Sequence, residues 1–140
     1  MSRSGPILLI EDDSDDKMIF EMIIRELEIP NQMIWFDNTM DAFKFLCTTS
    51  ESPFLIFCDI NLPGQNGLDF KKQVDDVPEL RKKSIPFMFF STTASQEDIN
   101  EAYTQMTVQG FFKKGYDYEG MKNLIKTIFE YWTVCRHPNT

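Results

Sequence analysis

Four places in this chain put chemically able side chains directly after a short apolar run. Glu11 and Asp12 follow the first run, Asp59 and Asn61 the third, Ser91 and Thr92 the fourth, and Lys114 the fifth. Asp59 is notable because Asp is a poor strand former, yet it ends five apolar residues. Carboxylates brought together repel, by about 4 kcal/mol for a pair at roughly 4 Å and an effective dielectric of about 20. Such a cluster must protonate or hold a cation. An all-oxygen site completed by water suits Mg²⁺ or Mn²⁺. A carboxylate beside such a cation can attack a phosphoryl group and form an aspartyl phosphate. The negative charge spread over the transferred group then needs partners, which the Lys114 ammonium and the Ser91 hydroxyl can supply.

Each residue alone has a plainer reading. A single lysine is usually a surface lysine, and Ser91 or Thr92 alone is a turn or cap residue. Asp13, Asp15 and Asp16 are accounted for by capping and the dipole of a following helix. The coincidence at four strand ends is what favours chemistry.

Other chemistries fall away. The one histidine, His137, lies in the tail, which removes His-dependent triads and multi-His metal sites. Asp12, Ser14 and Asp16 alternate as in an EF-hand, but the required Gly and distal Glu are missing. No Gly-rich phosphate loop occurs, and the loop after the first run would repel a nucleotide phosphate. A formal charge of −8, with 14 Lys and Arg against 22 Asp and Glu, argues against nonspecific nucleic-acid binding and docking on anionic lipid. The apolar stretch at 7–10 is too short for a signal peptide, and no run is long enough for a membrane helix. Cys47, Cys58 and Cys135 show no C-x-x-C spacing and read as reduced, mostly buried thiols of a cytoplasmic protein.

The elements that must position these groups alternate in kind. Solid apolar runs at 6–10, 33–36, 54–58, 85–90 and 110–112 predict strands buried on both faces. Between them lie helical spacings. Ile19, Phe20, Ile23, Ile24 and Leu27 share one face of the first. The second spans about 39–47, entered by Asn38 with Asp41 three residues on, and the third spans about 67–76. The fourth begins at Ser95 with Asp98 completing a near capping box. The last carries Met121, Leu124, Ile125, Ile128, Phe129 and Trp132 on one stripe. Five strands alternating with five helices predict a parallel α/β sheet covered on both faces, one domain over residues 1–140. In such a sheet ligands bind outside the carboxyl ends of the strands, where the four groups lie.

LLIEDD at 8–13, FLIFCDINLPGQNGLDF at 54–70, FFSTTAS at 89–95 and GFFKKG at 110–115 together resemble the receiver domain of two-component response regulators. The resemblance covers about residues 6–132, and EDDSDD with the Tyr131-Trp132 ending is similar to stand-alone receivers paired with phytochrome-like sensors. It implies a flavodoxin-like, doubly wound (βα)5 fold with strand order 2-1-3-4-5. Asp59 then corresponds to the phosphoacceptor. Glu11 and Asp12 correspond to the acidic pair, and Asn61 lends its backbone carbonyl to Mg²⁺. Ser91 matches the switch hydroxyl, Phe111 the aromatic switch residue and Lys114, four residues after Gly110, the invariant lysine. The implied output surface joins the fourth helix, fifth strand and fifth helix, with Ile99, Tyr103, Phe111, Met121 and Ile125 as candidates. Asn61, Thr92 and Thr93 would tune phosphorylation and the lifetime of the phosphoryl group.

The chain departs from the family pattern at three positions. Thr92 replaces a usually small residue, Gly115 a usual proline, and Lys113 a usually apolar residue. None removes a required group. The resemblance implies a signalling switch, not an enzyme acting on other substrates. Its donor would be a sensor histidine kinase or histidine phosphotransfer protein, its output a downstream protein or a homodimer through the named face, with no direct nucleic-acid or membrane partner. Two other classes stay open. One is a degenerate receiver that binds partners without phosphorylation, for which Thr92 and Gly115 leave room. The other is a Mg²⁺-dependent Asp-nucleophile phosphohydrolase of the haloacid dehalogenase kind, against which Asn61 stands where the acid/base Asp would be.

Overall fold

A computed structural model describes residues 4–92, 94–114 and 117–136. The strands are β1 (Ile7–Ile10), β2 (Met33–Phe36), β3 (Leu55–Asp59), β4 (Phe87–Ser91) and β5 (Gly110–Lys113). The helices are α1 (Ser14–Glu26), α2 (Thr39–Thr48), α3 (Gly67–Asp75), α4 (Pro78–Lys83), α5 (Gln96–Gln105) and α6 (Tyr118–Val134). All strand pairs are parallel, in the order β2-β1-β3-β4-β5. The fold is the flavodoxin-like one expected.

The solid apolar runs work because both faces are covered. Leu8, Ile10, Ile56, Cys58, Phe87 and Phe89 face the core beneath α2, α3 and α5. Their neighbours Ile7, Leu9, Leu55, Phe57, Met88 and Phe90 face the core beneath α1 and α6. Successive strand residues point to opposite faces, so a strand buried on both has no polar position to alternate. Many of the phenylalanines meet edge-on or tilted, as Phe20–Phe57 (centroids 4.9 Å) and Phe87–Phe89 (5.1 Å) do.

Local signals set the helix starts. Asn38 accepts from the Asp41 amide at 2.8 Å, and Ser95 with Asp98 forms a full capping box. The helix count differs from the expected five because α4 lies between α3 and β4. It has six residues, too few to show a period, with Pro78 in its first turn and Ser84 ending it at φ 50°. The expected fourth and fifth helices are therefore α5 and α6.

Three side-chain expectations need correction. Cys58 is buried, but Cys47 is exposed and Cys135 half-buried, so the thiols are not mostly buried. Ile19 is 39% exposed, outside the packed face of α1 formed by Phe20, Ile23 and Ile24. Ile125 is 1% exposed and packs on the sheet, so it offers no output surface.

Lys71 on α3 is also buried. Its ammonium bonds Asp75 at 2.8 Å and the Thr107 hydroxyl at 3.0 Å, and sits 4.9 Å from the Phe87 ring centroid. Asp75 in turn accepts from the Thr107 amide and hydroxyl. This network ties α3 to the chain entering β5.

Candidate functional site

Strand register brings the four groups to one edge. Ile10 lies beside Cys58, so Glu11 leaves β1 level with Asp59. Asp59 pairs with Phe90 and Ser91 with Lys113, so Ser91 ends β4 one residue past Asp59 and Lys114 follows directly on the end of β5. The Lys114 amide donates to the Ser91 carbonyl at 3.0 Å and extends that ladder by one residue.

Glu11 is buried and held on several sides. Its amide donates to the Phe36 carbonyl at 3.0 Å, and its carbonyl accepts from the Trp35 indole at 2.6 Å. Its carboxylate accepts from the Asp13 amide at 3.3 Å. Asp59 divides its oxygens: Oδ1 accepts from the Ile60 and Asn61 amides at 2.7 and 3.3 Å, and Oδ2 accepts from Lys114 Nζ at 3.1 Å. Lys114 Nζ also donates to Glu11 and, at 3.2 Å, to Asp16.

Glu11, Asp12 and Asp59 each offer a carboxylate oxygen, and these oxygens lie within 4.8 Å of one another. Three oxygen donors at that spacing, with Asp12 open to water, fit a hard divalent cation. Burial pushes the Glu11 carboxyl well above the usual carboxylate range; Lys114 opposes this and the Asp59 charge adds to it. Burial works against the Lys114 ammonium, but Glu11 and Asp59 outweigh it and hold the lysine protonated. The Cys58 thiol, beside the site, is pushed up by burial and by the Asp59 and Glu11 charges. It is no competing nucleophile.

Around this centre, Ser91 is buried and Thr92 exposed. Asn61 is exposed. Phe111 is half-buried against Phe89, with ring centroids 5.7 Å apart, on the α5 side of the sheet. Tyr103 on α5 is 52% exposed, Ile99 is half-buried and Lys113 exposed. Thr93, Gly115 and His137 lie outside the described residues. A cavity of about 290 Å³ opens beside Lys114 between α1 and α6, with Phe20, Phe90 and Met121 in its wall.

Two residues of the site escaped the sequence reading. Asp16, assigned there to the helix start, reaches Lys114. Gly67 abuts the phosphoacceptor candidate: a Cβ there would lie 2.2 Å from the Asp59 carbonyl oxygen. Its amide donates to the Ile60 carbonyl at 2.8 Å. No local sequence signal distinguishes Asp16 from Asp15. A glycine opening a helix, where no turn requires it, was the available hint of a close approach at 67.

The family model for the response regulator receiver domain matches residues 7–126. The chain belongs to the receiver domain family. Its relatives include the response regulator Rcp1 of Synechocystis, 24% identical over 131 residues (90% of this chain, 87% of that protein). They also include the chemotaxis protein CheY-3 of Vibrio cholerae, 28% identical over 134 residues (93% of this chain, 95% of that protein). Among solved structures, this receiver superposes on the phosphorylated cyanobacterial phytochrome response regulator RcpA with a TM-score of 0.82 at 24% identity, covering 94% of each chain. It is similar to a receiver domain from Rhodospirillum rubrum with a TM-score of 0.80 at 27% identity, covering 96% of this chain and 98% of that one. Receivers are signalling switches that take phosphoryl groups from histidine kinases or phosphotransfer proteins. In this receiver, no helix among the described residues is long and apolar enough to cross a membrane.

Proposed function

We propose that this receiver is phosphorylated on Asp59 in a reaction that depends on Mg²⁺ or Mn²⁺, and signals by protein contact. The observation that carries the reading is the placement of Asp59 Oδ2 at 3.1 Å from Lys114 Nζ, inside the cluster made with Glu11 and Asp12. Glu11, Asp12, Asp59 and the Asn61 carbonyl would hold the cation. When bound, it supplies positive charge that offsets the carboxylates and the incoming phosphoryl oxygens. The relative Rcp1 has a crystal structure in an Mn²⁺-bound form, which supports that assignment.

Asp59 Oδ1 is engaged by two backbone amides, which leaves Oδ2 as the attacking atom. The new bond joins Oδ2 to phosphorus. The bond from phosphorus to the donor's imidazole nitrogen breaks, and its electron pair leaves with the imidazole. Lys114 turns one of its donors to a phosphoryl oxygen. The Ser91 hydroxyl follows the new charge, and Phe111 turns into the space it leaves. That shifts a population of conformers at the α5-β5-α6 face, where Tyr103 is exposed. Hydrolysis resets the site, with Asn61, Thr92 and Thr93 tuning its rates. A sensor histidine kinase or phosphotransfer protein is the donor. The output is a downstream protein or a homodimer through that face.

Intact mass after incubation with acetyl phosphate and Mg²⁺ tests the reading against Asp59→Asn. One phosphoryl adduct that needs Mg²⁺ and is absent from the variant is expected. No adduct on the native chain, or an adduct that survives in Asp59→Asn, overturns it.

A further inference from the structure

The acidic run opening α1 carries more charge than capping uses. Asp13 is the cap, accepting from the Asp15 and Asp16 amides at 2.8 and 3.2 Å. That turn carries Asp16 to the site, where its carboxylate meets Lys114 at 3.2 Å. An ammonium has three donors. Here Glu11, Asp16 and Asp59 take them. The three partners differ in access: the Glu11 and Asp59 side chains are 4% and 11% exposed, that of Asp16 43%.

We propose that Asp16 is a positioning residue that restrains Lys114 at the water-facing side of the site and so slows phosphorylation of Asp59. The inference rests on the phosphoacceptor reading above. To donate to a phosphoryl oxygen, Lys114 must release a carboxylate. Asp59 is the nucleophile and Glu11 belongs to the cation cluster. Asp16 is the partner that neither reaction role requires. Its negative charge also faces the same solvent from which an anionic donor arrives. Removing it frees a donor of Lys114 and lowers repulsion at the entrance, and both effects speed the transfer. Because Asp16 is substantially exposed, salt screens the repulsive part. For the same reason its ion pair adds little to folding stability.

The test compares the native chain with Asp16→Asn and Asp16→Glu, using acetyl phosphate and Mg²⁺ and following intact mass over time. At an ionic strength of about 20 mM, Asp16→Asn is expected to phosphorylate at least about threefold faster than the native chain. In about 0.5 M salt that ratio falls by about half or more. Asp16→Glu, which keeps the charge, returns the native rate. Melting temperatures of all three agree within about 2 °C. An unchanged or slower Asp16→Asn overturns the proposal. So does an acceleration that Asp16→Glu shares or that salt leaves untouched, since each points to shape rather than charge. A native chain that takes no Asp59-dependent adduct overturns the phosphoacceptor reading, and the role of Asp16 falls with it.

Discussion

Replacing Gly67 by alanine sets two physical effects against each other. Gly67 is the first residue of α3, and alanine is the better helix former by about 1 kcal/mol. On propensity alone Gly67→Ala stabilises. The close packing of α3 on the end of β3 says the opposite. The added Cβ would lie 2.2 Å from the Asp59 carbonyl oxygen, and 3.1 Å from both the Asp59 carbonyl carbon and Ile60 Cα. All three are backbone atoms, so no side-chain rotation relieves the contact. An ordinary contact begins near 3.4 Å, so the backbone must open by about 1 Å. Overpacking of this kind costs about 1–3 kcal/mol, and the severity here belongs at the upper end. The net expectation is a loss of about 2 kcal/mol, or roughly 5–8 °C in melting temperature for a chain of this size. The residue displaced is the proposed nucleophile, and a misplacement of about 1 Å costs on the order of 100-fold in rate. Thermal unfolding and the rate of adduct formation from acetyl phosphate read the two effects separately. A variant at least as stable as the native chain, phosphorylating within about threefold of its rate, refutes the steric argument.

Two further outcomes follow from other parts of the structure. Asp75→Asn leaves the buried Lys71 ammonium without its counter-charge and is expected to cost about 3–5 kcal/mol in urea unfolding at pH 7. Burial opposes the Asp75 charge, but Lys71 and Thr107 outweigh it and hold its carboxyl below the usual value. Its contribution is therefore complete above the unfolded carboxyl value and is lost as pH falls through the folded one, so the gap between the native chain and the variant starts to narrow only as pH falls below about 4. Mg²⁺ binding reports on Glu11, whose carboxyl is pushed up to about 8, chiefly by burial. Binding needs the ionised form, so affinity rises with pH below that value and levels off above it, while Glu11→Gln flattens the rise. Trp35, which donates to the Glu11 carbonyl, gives a fluorescence signal for this titration. An affinity independent of pH between about 6 and 8 counts against the raised Glu11 value.

Features that depend on near neighbours along the chain can be read from the residues in order. Strands buried on both faces show as solid apolar runs, and the starts of α2 and α5 show in Asn38 with Asp41 and Ser95 with Asp98, because a cap spans three residues. Asp59 was legible because a carboxylate ending an apolar strand is locally out of place. Tertiary structure decided what depends on partners far along the chain. Lys71 is buried because Thr107, 36 residues away, helps satisfy its ammonium. Gly67 must be glycine because β3 ends against it, and α4 exists in a segment too short to show a period. Among the acids opening α1, Asp16 meets Lys114, 98 residues on, because strand register and the helix turn set their distance. Charge and apolarity are properties of residues and can be read in order, whereas which charges meet is fixed only when the sheet aligns its strand ends.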